Sequence, residues 1–273
     1  MSLSWRDLHI AVLAPQRVAL VRRRKGWGGQ HPFDLKLDAP WIGTPTAAAD
    51  ALTELLQRQE IGTGDLCIVI SNHFVRYLLI PWRAEVTTRD EFAAYAQICC
   101  DQTYGGAGSG HCLRTAPEKE GSPRLAAALD TALLEALARA ASSSRLRLVS
   151  IQPYLSAAYN RLAVMLPRDD FILVVAEPGR SCLLAAGHGR WSCVRTSAGE
   201  DQPQALAELI EREAQLLGLC DEGLPPVFVH APRQTGISLR ACHGITPETL
   251  SLPVPAALAP AGDPLLTMAM TVA

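Results

Sequence analysis

Five consecutive residues in the second half of the chain combine types that can hold a phosphate group. They are Glu177-Pro178-Gly179-Arg180-Ser181, which join an apolar run at residues 171–176 to a second one at 181–186. A glycine lets backbone amides turn toward an anion, a hydroxyl can donate to phosphate oxygen, and a carboxylate can hold Mg²⁺. The strand, turn, strand pattern leaves three interpretations open: a phosphate cradle, a degenerate remnant of one, or a plain hairpin.

A second glycine-rich stretch, at residues 104–110, is interpreted as a flexible loop. It lacks the Gly-Lys-Ser/Thr ending of a nucleotide-binding loop, and no buried strand precedes it. Ser109 has no strand-turn-helix context that would make it a nucleophile.

Eight cysteines are scattered along the 273 residues without a CxxC pair. Most lie in apolar runs, where reduced cysteine packs as a small hydrophobe, so we expect a reducing environment. Cys99, Cys100, His111 and Cys112 come nearest to a metal cluster, but adjacent helical residues point to different faces and do not easily chelate one ion. His230 ends a predicted buried strand, where a satisfied core histidine is favoured over a ligand-binding one. We therefore expect no bound metal.

The densest basic run is Arg22-Arg23-Arg24-Lys25, and two interpretations of it stay open. One is a solvated hairpin tip, and the other is a contact with anionic lipid headgroups or an acidic partner segment. The net charge of −2 argues against a nucleic-acid binder. The sequence has no run of about 18 uncharged apolar residues and no secretory signal, so we expect no transmembrane segment of its own.

Hydrophobic periodicity and turn residues predict the same order of elements twice. The first part has three strands, a helix, a strand, an excursion, a helix, a strand and a helix. The second has three strands, a helix, a strand, a shorter excursion with a further strand at 237–241, and a final helix. We therefore predict an α/β protein of two domains. Residues 1–166 form the first, with an insertion at about 74–129, and residues 167–273 form the second, with its C-terminal helix packing back on the first.

Several stretches make this plan resemble the actin-like ATPase superfamily. Residues 68–82, followed by the capped-helix pattern of 87–97, look like the insertion of PilM, from the type IV pilus platform, and of the cytoplasmic part of GspL, from type II secretion. Residues 148–162 look like the crossing between the halves, 169–199 like the opening of the second half, and 205–218 like the helix after it. The resemblance implies a duplicated, ribonuclease H-like fold with an inserted subdomain in the first half.

In active members of this superfamily both hairpins carry an Asp followed by small residues, which manage Mg²⁺ and the phosphates of ATP. Here the first hairpin, Ala14-Pro15-Gln16-Arg17, has neither Asp nor Gly, and Pro178 removes an amide from the second. The adenosine-side strand end, normally a glycine pair, reads Val229-His230-Ala231-Pro232. These departures from the superfamily pattern imply a pseudo-ATPase without ATP or Mg²⁺. If nucleotide does bind, the expected contacts are Gln16, Glu177, Gly179 and Ser181.

The resemblance to PilM also implies that a short peptide from a membrane partner packs near the insertion. Aromatic side chains are frequent interface anchors. The expected partner-binding residues are Trp82, Phe92, Tyr95, Arg22, Arg23 and Arg24. The implied role is a scaffold at the cytoplasmic face of the inner membrane, which binds a membrane-anchored pilus or secretion platform protein, the motor ATPase, or both. Two alternatives stay open: an active phosphotransferase of the same fold, using Glu177 with Asp201 behind it, and a stand-alone regulator.

Overall fold

The computed structural model describes residues 6–25, 32–105, 110–199, 201–218, 223–234, 238–242, 244–258 and 262–273. The strands, in chain order, are β1 (Leu8–Ala14), β2 (Arg17–Arg23), β3 (Phe33–Pro40), β4 (Gly64–Ile70), β5 (Val75–Ile80), β6 (His111–Thr115), β7 (Arg124–Asp130), β8 (Leu146–Pro153), β9 (Phe171–Glu177), β10 (Arg180–Gly187), β11 (Arg190–Ala198), β12 (Val227–His230) and β13 (Glu248–Thr249). The helices are α1 (Pro45–Leu56), α2 (Arg89–Tyr104), α3 (Thr131–Ser142), α4 (Tyr154–Leu162), α5 (Pro203–Leu216) and α6 (Pro264–Ala269).

The chain forms two compact units, and neither is continuous along the sequence. The first unit combines Met1–Phe74, Ala132–Arg161 and Leu252–Ala273, and the second combines Val75–Thr131 and Leu162–Ser251. The C-terminal helix α6 contacts β1 and β2 in the first unit. The domain boundaries predicted from the order of elements remain a prediction.

The first unit is built on a five-stranded sheet in the order β3-β2-β1-β4-β8. β1, β2 and β3 are antiparallel neighbours, whereas β4 is parallel to β1 and β8 to β4, because α1 and α3 return the chain before each of these strands. Nearly every residue of β1 and β4 is buried, as expected for strands covered on both faces. Leu52 and Leu55 of α1 are completely buried and fill part of the core.

The second unit repeats this order strand for strand, as β11-β10-β9-β12-β13. β9, β10 and β11 are antiparallel, β12 is parallel to β9, and β13 is parallel to β12. Leu206 and Ile210 of α5 share one core with Ile172 and Val174 of β9. The doubled plan predicted from the sequence is therefore present in the two sheets.

A three-stranded antiparallel sheet, β5-β7-β6, also lies in the second unit. Ala96 and Cys100 of α2 pack on Ile80 and its neighbours to form a small core of their own. The Trp191 indole of β11 donates to Glu118 Oε1 at 2.6 Å, which connects the segment between β6 and β7 to the larger sheet. This contact helps to position the insertion within its unit.

The structure differs from the sequence prediction in a few elements. β6 has no predicted counterpart, because its residues are only partly buried and show no clear alternation. Residues 238–241 of the strand predicted at 237–241 are not in a strand, and residue 237 lies outside the described residues. Arg22 and Arg23 belong to β2 rather than to a loop. Residues 26–29 and 106–109, both predicted as loops, lie outside the described residues.

Within the described part of the chain, none of the helices has the length and apolar character needed to span a membrane.

Candidate functional site

The first hairpin turns through Pro15 and Gln16, between the paired residues Ala14 and Arg17. Gln16 has a φ of 65°, in the left-handed region that non-glycine residues rarely adopt. Proline at the first central position followed by a positive φ is the pattern of a type II turn. The type I′ and II′ turns that usually close two-residue hairpins need a positive φ where this turn has proline, so Pro15 excludes them.

The second hairpin has the same construction. Pro178 and Gly179 separate the paired residues Glu177 and Arg180, and Gly179 has a φ of 79°. Each turn is thus a proline, a residue with positive φ and an arginine. The duplication of the two sheets extends to the conformation of their first turns.

The residue after the third strand closes each turn in the same way. The Trp41 amide after β3 donates to Gln16 O at 2.9 Å, and the Gly199 amide after β11 donates to Gly179 O at 3.3 Å. The Trp41 indole also donates to Ala14 O at 2.9 Å. Sequence reasoning missed both Trp41 and Gly199, and the signal that could have found them is their common place at the end of each third strand.

The two turns offer few groups to a nucleotide. Neither proline has an amide N–H, and the amides of Arg17 and Arg180 lie in the antiparallel pairs that close the hairpins. In each turn at most one further amide remains to face an anion. It is that of Gln16 in the first turn and that of Gly179 in the second. Because β1 ends in Ala14, the first turn also lacks a carboxylate for a metal ion. These turn residues do not fit a Mg²⁺–phosphate site of the kind that the resemblance implies.

Glu177 and Ser181 are both buried, with 2% of each residue exposed, but they lie on opposite faces of the sheet. Strand alternation places Ser181 on the face of Ala176 and Leu183, which packs under α5, whereas Glu177 shares the face of Cys182. Burial raises the pKa of Cys182 to about 12, and the Glu177 carboxylate adds to this shift. The structure therefore does not bring Glu177 and Ser181 together around one ligand.

The arginine run is divided between the two faces of β2. Arg22 donates through Nε and Nη2 to the two carboxylate oxygens of Asp34, each at 2.8 Å, and through Nη1 to Glu60 O at 2.8 Å. Arg24 pairs with the same carboxylate, and the hydrogen bond from Arg22 lowers the pKa of Asp34. Arg23 points the other way and is half-buried, which lowers its pKa. Much of the run's charge is thus neutralised or buried within the first unit.

Three predicted partner residues meet at one hollow in the second unit. Trp82, Phe92 and Tyr95 line a hollow of about 40 Å³ between the end of β5, the start of α2 and the start of β7. Trp82 is 43% exposed, while Phe92 and Tyr95 pack against the core under α2. We call these three residues, together with Arg83 and Arg124, the insertion surface.

Two guanidinium groups cover the aromatic rings of the insertion surface. Arg124 lies 4.4 Å from the Phe92 ring centroid and Arg83 lies 5.6 Å from that of Tyr95. Arg83 Nε also donates to Tyr95 Oη at 3.1 Å. Sequence reasoning missed both arginines, although Arg83 directly follows Trp82 and Arg124 pairs with the end of β5. The surface combines an aromatic floor with two positive charges held in place by cation–π contacts.

A capping box positions the aromatic residues at the start of α2. Thr88 Oγ1 accepts from the Glu91 amide at 3.2 Å, and Glu91 Oε2 accepts from the Thr88 amide at 3.0 Å, as the sequence predicts. The backbone hydrogen bonds from Thr88 and Thr87 lower the pKa of Glu91. The reciprocal bonds fix the start of α2, whose first two turns carry Phe92 and Tyr95.

The remaining candidates are engaged inside the second unit. His230 Nδ1 lies 2.9 Å from Leu250 O, and burial lowers the pKa of this histidine. Asp201 is 1% exposed and pairs with Arg233 at 3.1 Å. In the ranges that the structure describes, no group of three or more His, Cys, Asp or Glu residues could hold a metal ion.

Neither a protein-family model nor a curated protein matches the chain, whereas solved structures do. The cytoplasmic domain of EpsL, an inner membrane component of the type II secretion system of Vibrio cholerae, is 11% identical with a TM-score of 0.58, over 98% of this chain and 95% of that one. A chain of the PilM–PilN type IV pilus biogenesis complex is 16% identical with a TM-score of 0.55, over 88% of this chain and 87% of that one. A Bacteroides thetaiotaomicron protein with an actin-like ATPase fold and unknown function is 7% identical with a TM-score of 0.57, over 85% and 84%.

Identities this low show the fold alone. The chain has the actin-like ATPase fold, and the predicted α/β, two-domain architecture is confirmed. The predicted resemblance to the pilus and secretion proteins is confirmed at the level of fold.

Proposed function

We propose that this chain is a non-hydrolysing actin-like scaffold in a type IV pilus or type II secretion assembly platform. The observation that carries the proposal is the pair of prolines, Pro15 and Pro178, which occupy equivalent positions in the two turns and each remove an amide. Ala14 further leaves the first turn without a carboxylate. Parallel losses in both halves support a protein whose fold serves binding rather than hydrolysis, with neither ATP nor Mg²⁺ as a cofactor.

The insertion surface is the proposed contact with a membrane-anchored platform protein. Trp82 is a large, partly exposed aromatic side chain beside a hollow, which is the usual character of an interface anchor. Phe92 and Tyr95 supply a floor that is already ordered, so binding orders few further side chains. The motor ATPase is the second proposed partner, and the work of the scaffold is to couple the two at the cytoplasmic face of the inner membrane.

The arginine run supports direct contact with anionic lipids only weakly. Arg22 and Arg24 share Asp34, and Arg23 is half-buried, so each attracts lipid less than a free surface arginine. We therefore place the attachment to the membrane mainly in the protein partner.

The partner contact is tested by a titration with the cytoplasmic segment of the membrane-anchored platform protein. Trp82→Ala should weaken binding by about tenfold or more, because truncating an interface anchor removes its buried area. Ile98→Ala is the matched control, since Ile98 is 54% exposed on α2 but does not line the hollow. Equal effects of the two variants, or no binding by the unchanged protein, would contradict the proposed contact.

Calorimetry with Mg-ATP tests the second part of the proposal. We expect neither a binding heat nor phosphate release, because the turns supply too few amides and the first has no metal-binding carboxylate. Tight ATP binding with turnover would overturn the pseudo-ATPase assignment.

A nucleotide-binding or phosphotransferase function is the second candidate, and Glu177 favours it. This carboxylate ends β9 at the first position of the second turn, where the resemblance places an Asp. If phosphoryl transfer is detected, Glu177→Ala should abolish it, whereas an unchanged rate would exclude Glu177 from the chemistry.

A further inference from the structure

The Ser181 hydroxyl is a buried polar group in an otherwise apolar row of β10. Leu183 and Ala185 follow it on the same face and belong to the core under α5. Ser181 is 2% exposed, and its Oγ has no hydrogen-bond partner among the residues that the structure describes. Leaving a buried hydroxyl without a partner is unfavourable, so this one is a candidate to bind something that enters from outside the chain.

Ser181 is one of the residues that line a hollow of about 320 Å³ between the start of β10, the end of β11 and α5. Ser197 stands directly opposite Ser181 across the two strands, so two hydroxyl side chains lie next to each other on one face. Leu209 forms an apolar wall, while Glu208 and Arg212 line the hollow from α5. This hollow lies under α5, on the sheet face opposite to Glu177.

A fixed guanidinium group stands beside these hydroxyls. Arg212 Nη2 donates to Ser197 Oγ at 3.1 Å and to Glu213 Oε1 at 3.0 Å. Glu213 also pairs with Arg195 at 3.4 Å, so one carboxylate serves two arginines. Glu208 lies on the rim and balances the second arginine, and one of its oxygens accepts from the Gln204 side chain at 3.0 Å.

We propose that this hollow is a binding site for a compact oxyanion, such as a phosphate group. Ser181 Oγ donates one hydrogen bond to the anion, and Arg212, already oriented by Ser197 and Glu213, supplies the charge. The site is independent of the scaffold function and of the turns, because it needs neither Glu177 nor a turn amide. The Glu208 carboxylate repels the anion and so lowers the affinity of the site for it.

The test is a titration of the full chain with inorganic phosphate, followed by amide NMR shifts and calorimetry. Ser181→Ala and Arg212→Gln should each weaken phosphate binding by about tenfold, since each removes a hydrogen bond to a charged ligand. Glu208→Gln should strengthen it severalfold by removing a like charge. Arg240→Gln is the control, because Arg240 lies in the same unit and pairs with Glu211 outside the hollow.

Three outcomes of the phosphate titrations would overturn the proposal. They are no saturable phosphate binding up to about 10 mM, unchanged affinity in the Ser181→Ala and Arg212→Gln variants, or an equal loss in Arg240→Gln. A parallel titration with ADP distinguishes the source of the phosphate group. If ADP binds at these residues far more tightly than phosphate does, the occupant is a nucleotide and the assignment to a compact oxyanion is wrong. Thermal melts of each variant confirm that it is folded.

Discussion

Gly64 begins β4 at a place where the backbone just before β1 and the His9 side chain leave no room for a further side chain. A Cβ atom there would lie 2.4 Å from Asp7 O and 2.9 Å from His9 Nδ1. Asp7 O already accepts from the Asp65 amide at 2.8 Å, so it cannot withdraw without losing that bond. We expect Gly64→Ala to lower the free energy of unfolding by about 2 kcal/mol, because a tightly packed site must shift.

Urea unfolding measures this effect, and Gly110→Ala is the control. Among the described residues, no atom lies within 4 Å of the place where a Cβ at Gly110 would be, so this variant should change stability little. A Gly64→Ala variant as stable as Gly110→Ala would show that the contact between β1 and β4 is looser than the distances imply.

Two helices begin after a threonine, but only one threonine caps its helix. Thr88 Oγ1 accepts from the Glu91 amide at the start of α2, whereas Thr44 before α1 makes no such bond and its hydroxyl lies 2.8 Å from Thr46 Oγ1. Thr88→Ala should therefore cost about 1 kcal/mol of unfolding free energy, and Thr44→Ala distinctly less. Chemical denaturation of the two variants checks the difference, and equal losses would mean that the capping box contributes nothing.

The short C-terminal helix α6 depends on one carboxylate. Asp263 accepts from the Leu265 amide at 3.1 Å as N-cap, and it pairs with Arg17 and with Lys36, the latter at 3.3 Å. Asp263→Asn keeps a capping oxygen and loses the ion pairs, while Asp263→Ala loses both. We expect the alanine variant to be less stable than the asparagine variant by about 1 kcal/mol, the usual value of a cap.

Hydrogen exchange of the α6 amides, together with urea unfolding, measures both variants. If Asp263→Asn is as damaging as Asp263→Ala, the ion pairs rather than the cap hold this helix.

At the scale of the whole molecule, each compact unit carries a buried histidine, and together they make stability depend on pH. Burial lowers the pKa of His9 and of His230 below the ordinary 6.5. For His9, the hydrogen bond to Ile61 O and the charge of Asp7 oppose this shift, while Arg22 adds to it. Below pH 6.5 the unfolded chain takes up protons that the folded chain does not, so unfolding becomes easier by up to about 1.4 kcal/mol per pH unit for each histidine.

Urea unfolding between about pH 7 and about pH 5 should show this fall in stability. His9→Gln and His230→Asn each place an amide near the ring nitrogen that faces the backbone acceptor, and each should flatten the dependence. If both variants leave the dependence of the unfolding free energy on pH unchanged, this dependence arises from other groups.

The sequence by itself determined most of the order of the elements, the capping box of α2 and the position of the two turns. These features depend on neighbours along the chain: hydrophobic periodicity sets strands and helices, and a proline limits the turn types available to it. The repeated order of elements, together with the resemblance of several stretches, predicted the actin-like fold, and the residues of the two turns predicted that Asp is absent from both. β6 could not be predicted in the same way, because it is a partly buried strand without a regular pattern.

Only the tertiary structure decided which side chains meet. Strand register separates Glu177 from Ser181 across the sheet, and pairing of β2 with β3 brings Arg22 to Asp34. The closure of the first turn by Trp41 likewise joins residues that a sequence window does not connect. The physical reason is that register and packing arise from contacts between distant parts of the chain, whose energies no local pattern contains.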